Sequence, residues 1–411
     1  MHMDTGFVRA QFPAFSEPSL RDQAFFENAG GSFACRYVIW RLNRFFKERK
    51  VQPYGPYAAS DLAGSEMDEA GQRLARVLGV MPDEIAFGPS TTANTYVLAQ
   101  AFRQWLREEG PSAHKRAIIV TNQDHEANSG PWRRLAQDGI EIREWRMRED
   151  GHLALEDLEP LLEGARLLCF PHCSNVLGEV NDAALICRSA RRAGVFTCVD
   201  GVSYAPHGLP NVAKLGADIY LFSAYKTYGP HQGIMAIRRE LGMALPNQGH
   251  SFNGHHLPKR FTPAGPDHAQ TAACAGIADY IDALYKHHMR AGRDGTGRAE
   301  VVHDMMRARE EELLAPLLDY LTSKNSVRLL GPQTGERRAP TLALDLGAPA
   351  APVARRLARQ SIMCAAGDFY AGRTLTAMGV DPENGVLRLS FTHYTTDAEV
   401  DRLIKALDHI L

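Results

Sequence analysis

No stretch of this 411-residue sequence is apolar over the roughly 18 residues that a membrane-spanning helix needs. The first residues, Met1 to Arg9, hold no apolar run of signal-peptide length either, so a cytoplasmic protein is expected. An excess of charge is missing too. The 46 Lys and Arg stand against 48 Asp and Glu, a formal net charge of −2, and no field of one sign invites nucleic acid or an anionic membrane. Cysteine is sparse: seven residues, an odd number without paired spacing, argue against a disulfide framework and for a reducing compartment. Cys169 and Cys173 bracket His172, but successive strand residues face opposite sides and no second ligand pair follows, so no metal centre is expected. No G-x-G-x-x-G follows any strand-like run, which sets aside a nicotinamide dehydrogenase. There is no internal repeat, and the only biased patch, Ala348-Pro-Ala-Ala-Pro-Val353, reads as a turn before a helix.

What is present describes an ordinary globular chain with more than one core. Hydrophobic residues make up 45% and charged residues 23%, and the length exceeds a single typical core. Periodicity alternates along the first half: strand (Ala117–Thr121), helix (about Trp132–Gln137), strand (Ile140–Trp145), helix (Leu155–Leu162), strand (Leu167–Phe170), helix (Ala183–Ala193), strand (Val195–Val199). Strands separated by helices of this length predict an α/β fold with a mostly parallel sheet covered on both faces. A long helical stretch then runs from about Thr271 to Met289 and again from Arg298 to Leu318. Strands at Leu342–Leu346, Ile362–Ala365 and Val386–Phe391, with helices at Val353–Gln360 and Asp397–Leu407, predict a smaller α+β unit. The expected division is an arm over 1–25, a large domain over 26–258 and a small C-terminal domain over 259–411.

The residues that carry chemistry stand at strand ends. Lys226 follows the apolar run Ile219-Tyr-Leu-Phe-Ser223, and Asp200 closes Val195-Phe-Thr-Cys-Val-Asp200. A lysine just beyond one strand, with an acid at the carboxyl end of a neighbour, is what a pyridoxal phosphate enzyme needs. The amine bonds the cofactor aldehyde, and the carboxylate pairs with the protonated ring nitrogen. Taken singly, each is equally a surface lysine and a helix-capping aspartate. Val120-Thr-Asn-Gln-Asp-His125 ends a third strand, where an imidazole can lie flat on a cofactor ring; alone, His125 reads as a solvated loop residue. After Leu167-Leu-Cys-Phe-Pro comes Ser174-Asn175, whose amide can donate to a phenolate oxygen or simply form a turn. Gly88-Pro-Ser90-Thr91-Thr92 opens an amphipathic helix, expected over Thr95–Leu106. Hydroxyls and free amides there suit a phosphate, although ordinary capping uses the same letters.

In this order the motifs resemble class V aminotransferase-fold enzymes, the group of cysteine desulfurases and selenocysteine lyases. The resemblance is closest in Ser174-Asn-Val-Leu-Gly178, in Val199-Asp-Gly201 with Pro206-His207, and in Gly216-Ala-Asp218 through Phe222-Ser223, Lys226 and Tyr228-Gly-Pro230, and it extends from about Phe25 to the C-terminus. It implies a fold-type I transferase architecture and pyridoxal 5′-phosphate, with Lys226 as the aldimine lysine, Asp200 on the ring nitrogen, His125 stacked on the ring and Asn175 on the phenolate oxygen. Thr91, Thr92 and Ser223 would bind the phosphate. Arg388, in Gly385-Val-Leu-Arg388, would hold the substrate carboxylate together with Asn175, its planar fork being suited to two oxygens. The family also forms dimers with sites at the subunit interface, and Gly265-Pro-Asp-His268 resembles the segment that reaches the partner's phosphate, with Pro266 where relatives often carry a threonine.

Departures from the pattern shape the expected chemistry. Desulfurases carry a histidine before the lysine; here Tyr225 stands there, a poorer proton shuttle whose hydroxyl can still bond a phosphate. Many relatives have a glutamine where this chain has Ser203. Aligning Ser361-Ile-Met-Cys-Ala-Ala-Gly367-Asp-Phe-Tyr370 through Ile362 and Gly367 puts Tyr370 at the desulfurase nucleophile. Cys364 then reads as an inert, buried strand residue. The expectation is an elimination, a carbon–sulfur lyase or desulfurase-like reaction on an amino acid, with transamination or epimerisation as the alternative. A binding protein that has lost catalysis would show a damaged Lys-Asp-His set, and all three residues are in place.

Overall fold

The computed structural model describes residues 3–110, 114–289, 292 and 294–411, so the first two residues of the expected arm lie outside the described residues. A short strand, β1 (Ala24–Phe25), precedes the seven strands of the main sheet. These are β2 (Ile85–Gly88), β3 (Ala117–Thr121), β4 (Ile142–Trp145), β5 (Ala165–Pro171), β6 (Phe196–Asp200), β7 (Ile219–Ser223) and β8 (Gly233–Ile237), in the order β2-β8-β7-β6-β5-β3-β4. The five strands from β4 to β7 are parallel neighbours, and β8 alone runs against the rest. This is the expected α/β architecture.

Its central strands are apolar on both sides because both faces are covered. Ile119, Leu168, Val199, Tyr220 and Phe222 belong to the core on one face, while Ile118, Val120, Leu167, Cys198, Ile219 and Leu221 belong to the core on the other. The alternation is the period of two that a pleated strand imposes. Burying a single Leu or Ile side chain in such a layer stabilises by roughly 1.5–3 kcal/mol, so these strands are held mainly by burial.

The C-terminal part forms a second sheet of β9 (Arg328–Leu329), β10 (Thr341–Asp345), β12 (Ala365–Gly367) and β13 (Val386–Ser390), ordered β12-β13-β10-β9 and antiparallel throughout. Between β10 and β12, β11 (Ile362–Met363) pairs in parallel with β1. The single strand expected over Ile362–Ala365 is therefore two, because the chain changes partner at Cys364, leaving β1 and joining β13. Other boundaries also differ. The helix expected from Thr95 begins at Thr91, since the Ser90 hydroxyl accepts from the Ala93 amide and closes the first turn. The one expected from Trp132 begins at Glu126, capped by His125, and ends in a 3-10 turn over Arg134–Asp138. The stretch expected over Thr271–Met289 is a helix over His268–Ala273 and another over Ala275–His288.

Candidate active site

The carboxyl ends of β3, β5, β6 and β7 open on one side of the sheet, the side on which ligands bind in open parallel sheets. After β7 the chain turns at once through Ala224–Lys226. Residues from the amino-terminal segment clamp this turn. The Ser32 amide donates to the Tyr225 carbonyl at 3.1 Å, the Ser32 hydroxyl donates to the Lys226 carbonyl, and the Cys35 amide donates to the Tyr228 carbonyl at 3.0 Å. Tyr228 has a φ of 63°, a left-handed conformation that costs a non-glycine residue roughly 1–3 kcal/mol. Its buried hydroxyl donates to the Pro206 carbonyl and ties the turn down. The Lys226 amine is buried, which pulls its pKa down to about 8; Arg388 lowers it further, while Asp200 and Glu27 oppose. Near neutral pH an appreciable fraction is the free amine, the nucleophilic form.

Asp200 ends β6 and is buried. Its Oδ1 accepts from the Val202 amide at 2.8 Å, yet burial pushes the carboxyl up to about 6 against the lowering effects of that bond and of Lys226. Such a group gains most from a cationic partner. His125 is half-buried, and its Nδ1 accepts from the Ala127 amide at 3.0 Å. That bond assigns the ring proton to Nε2 and fixes the ring where the helix begins. Burial, then Lys226 and Arg388, hold the imidazole down to about 3, so it is neutral. Asn175 lies after β5, its Nδ2 donating to the Phe369 carbonyl at 2.9 Å while its buried Oδ1 has no partner.

The other end of the site is built for an anion. Ser90, Thr91 and Thr92 form the start of an 18-residue helix, and the Thr91 and Ser223 hydroxyls lie 2.8 Å apart. Gly233 lets β8 run directly beneath this terminus: a Cβ there would stand 2.3 Å from the Ser90 carbonyl carbon and 2.6 Å from the Thr91 nitrogen. Tyr225 stacks on His231, centroids 4.9 Å apart and planes 7° apart.

A cavity of about 200 Å³ is lined by Thr91, Thr92, His125, Asn175, Asp200, Ser203, Ser223, Tyr225 and Lys226, with Ser90 and His231 among its other walls. Nine of the ten residues singled out from sequence thus meet in one space. Arg388, buried on β13, is outside that lining but close enough to depress both Lys226 and His125. Sequence reading missed His231, although it adjoins the Tyr228-Gly-Pro230 motif. It also missed Glu27, which binds Arg388, and Phe369, whose ring lies 3.7 Å from the guanidinium carbon. No local pattern marks those two, because Glu27 meets Arg388 across 361 positions and Phe369 meets Asn175 across 194.

The donor set suits pyridoxal phosphate: hydroxyls and a helix terminus for the phosphate, a partly neutral buried lysine for the aldehyde, and a buried carboxyl short of a cation for the ring nitrogen. Cys364 departs from its expected setting, being half-buried at the break between β11 and β12. Burial nonetheless pushes its thiol up to about 12, with Glu27 adding to the rise. Tyr370 is 72% exposed, and its ring centroid lies 5.4 Å from that of His125. Cys169 sits in the core beneath the sheet, and His172 is stacked on Tyr204 with centroids 3.6 Å apart.

A family model described as Aminotransferase class-V matches residues 24–403. An aminotransferase-like protein, FGM3, of Gibberella zeae is 30% identical, the alignment covering 98% of each chain. A cysteine desulfurase of Cronobacter sakazakii is 29% identical over 98% of this chain and 97% of its own. Among solved structures, a cysteine desulfurase of Thermococcus onnurineus superposes with a TM-score of 0.83 at 22% identity, covering 100% of this chain and 98% of its own. The cysteine desulfurase CsdA of Escherichia coli gives 0.81 at 23% identity over 100% and 99%.

Proposed function

Because the chain belongs to the aminotransferase class-V family of pyridoxal phosphate enzymes and is desulfurase-like, we propose that it eliminates a sulfur-containing or other leaving group from an amino acid. The observation that carries this reading is the convergence of buried Lys226 and Asp200 and half-buried His125 on one cavity with an anion-binding helix terminus. A binding protein without catalysis has no use for a buried amine held near 8 beside a buried acid.

In this reading Thr91, Thr92 and Ser223 hold the phosphate with help from Tyr225, Asn175 meets the phenolate oxygen, Ser203 closes the wall, and Asp200 pairs with the ring nitrogen. Bound there, the cofactor supplies an electron sink for charge developing at the substrate Cα. Lys226 is the amine that would hold the cofactor aldehyde, and its free form is the base placed to accept the substrate's α-proton. His125, neutral with its proton on Nε2, holds the ring plane and offers a donor beside the reacting carbon. Arg388 and Asn175 receive the substrate carboxylate.

Elimination is favoured over persulfide transfer by Cys364, whose thiol stays protonated with a pKa of about 12, and by Tyr370 in the exposed loop. With cysteine as substrate the balance is cysteine and water to pyruvate, ammonia and sulfide, and no protein thiol takes part. Transamination or epimerisation is the second reading, favoured by Tyr370 standing where a desulfurase carries its nucleophilic cysteine. The reading also divides the chain into an arm to residue 25, a cofactor domain over 26–258 and a smaller domain over 259–411. It includes a cytoplasmic location and a homodimer, the latter supported by exposed Tyr54 and Phe252, which with Pro266 and His268 line a cavity of about 610 Å³. Incubating the cofactor-loaded protein with a panel of amino acids, while assaying pyruvate, ammonia and sulfide, tests it. Keto acid without ammonia points to transamination, and persulfide on Cys364 refutes the reading.

A further inference from the structure

Arg388 does not present an open fork. Its Nη2 donates to Glu27 Oε1 at 2.8 Å and its Nη1 donates to the Asn175 backbone carbonyl at 3.2 Å. The Phe369 ring covers the guanidinium at 3.7 Å, and the Phe369 carbonyl takes the Asn175 Nδ2 donor at 2.9 Å. Both groups assigned above to a substrate carboxylate are therefore already engaged, Arg388 Nη2 by a carboxylate oxygen and Asn175 Nδ2 by a carbonyl oxygen, while the buried Arg388 Nε has no partner. A carboxylate carries two acceptor oxygens for two such donors.

We propose that Glu27 and Phe369 are specificity-determining residues that occupy the carboxylate corner at Arg388 and Asn175, and that a substrate carboxylate binds by exchange for them. The inference rests on the reading of Arg388 and Asn175 as the carboxylate receptor.

Three observations make exchange feasible. The Glu27 side chain is 26% exposed while that of Arg388 is 4% exposed, so the glutamate can leave for water and the arginine stays. Glu27 Oε2 is buried without a partner, so the glutamate is held by one oxygen only and gains a partner on leaving. Phe369 and Tyr370 have φ of 53° and 56°, two successive non-glycine residues in the left-handed region. That strained pair is held by the Asn175 bond and by the Glu126 amide donating to the Tyr370 carbonyl at 2.8 Å. Giving up the first bond to a substrate lets the loop relax.

The consequence is selectivity for the charge itself. A free carboxylate replaces the Glu27 carboxylate like for like, whereas an amide or ester has only a neutral oxygen to offer against an ion pair. The corner therefore accepts amino acids and rejects their amides, and the Glu27 charge weakens binding of every carboxylate that enters.

The test uses the full chain incubated with pyridoxal phosphate, titrated by NMR with propionate and with propionamide, neither of which has an amine to react with the cofactor. Glu27→Gln removes the competing charge, and the propionate Kd should fall about ten-fold while that of propionamide does not move. Glu27→Asp, one methylene shorter, should shift propionate the same way by less, and Arg388→Ala in the Glu27→Gln background should abolish the gain. A propionate Kd that rises or stays within two-fold would mean that Glu27 only steadies Arg388, and the proposal falls. It falls equally if propionamide gains as much, or if the gain survives loss of Arg388. Pyridoxal phosphate uptake is read separately by absorbance: no uptake with the expected propionate response sinks the proposed function and leaves the corner standing, and the reverse result sinks the corner alone.

Discussion

Asp200→Asn should separate stability from activity in opposite directions. In the cofactor-free protein the Asp200 carboxyl is raised from the ordinary 3.8 to about 6, chiefly by burial. A carboxyl whose folded pKa is raised adds stability that is complete below its unfolded pKa and is lost as pH climbs through the folded one. Between about pH 4 and 6 the stripped protein should therefore lose stability, amounting to about 3 kcal/mol at pH 7. Asn keeps the shape and the acceptor for the Val202 amide but carries no charge. Stripped Asp200→Asn should lack the Asp200 share of that loss and should be more stable than stripped wild type at pH 7. The neighbouring Asp124, pushed up to about 8 mainly by burial and partly by Asp200, adds a loss of its own over the same range in both proteins, so the difference between them reports Asp200. With cofactor bound, the cationic ring nitrogen lacks its counter-charge in the variant, and turnover should drop by about 10²-fold or more, roughly 2.7 kcal/mol of barrier. Urea unfolding of both stripped proteins at pH 4.5 and 7, beside steady-state rates of the loaded forms, measures each part. Equal stabilities at pH 7 would refute the burial argument, and near-normal turnover would refute the assignment of Asp200 to the ring nitrogen.

Borohydride reduction of the loaded protein should fix the pyridoxyl group on Lys226, and peptide mapping that finds it on Lys214 or Lys259 overturns the site. Cys364→Ser should keep most of the turnover, because burial holds the thiol near 12 and little thiolate exists at neutral pH; loss of sulfide release with an intact cofactor spectrum would make Cys364 the nucleophile. Gly233→Ala should destabilise by about 1–3 kcal/mol and weaken cofactor binding, since its Cβ would stand within 2.6 Å of Ser90 and Thr91 backbone atoms, and equilibrium dialysis with a melting curve would detect both.

Much of the site was legible because it is built at the ends of strongly patterned strands. β3, β5, β6 and β7 are short apolar runs, and the residues that follow them, His125, Asn175, Asp200 and Lys226, are the polar groups such a sheet delivers to its carboxyl edge. The Ser90-Thr91-Thr92 turn was legible for the same local reason, as a cap before an amphipathic helix, although the helix starts four residues earlier than its apolar pattern does. What escaped is non-local. The break at Cys364 arises because β11 finds its partner in β1, at residues 24–25, and β12 finds its own in β13. Neither partner leaves a trace in the periodicity of 361–367. The pairing of Glu27 with Arg388 spans 361 positions, and a lone glutamate in Phe25-Phe-Glu-Asn28 carries no motif.

The amino-terminal segment is the part whose contribution sequence reading understated, and its contacts give the reason. Between Ala24 and Cys35 it pairs with β11, supplies Glu27 to Arg388, donates the Asn28 amide to the Ser390 carbonyl at 3.2 Å, and clamps the lysine turn through Ser32 and Cys35. One length of chain thus touches both the strand that carries Arg388 and the turn that carries Lys226. In the proposed reaction these two groups must stand in a fixed relation, because the arginine would set the substrate's orientation and the lysine would take the proton from its Cα. Errors of about 1 Å in such positioning commonly cost on the order of 10²-fold in rate. The buried hydroxyl of Tyr394, donating to Asn28 Oδ1, fastens the middle of the segment from the C-terminal side. A segment with no catalytic group of its own can in this way set the geometry on which the reaction depends.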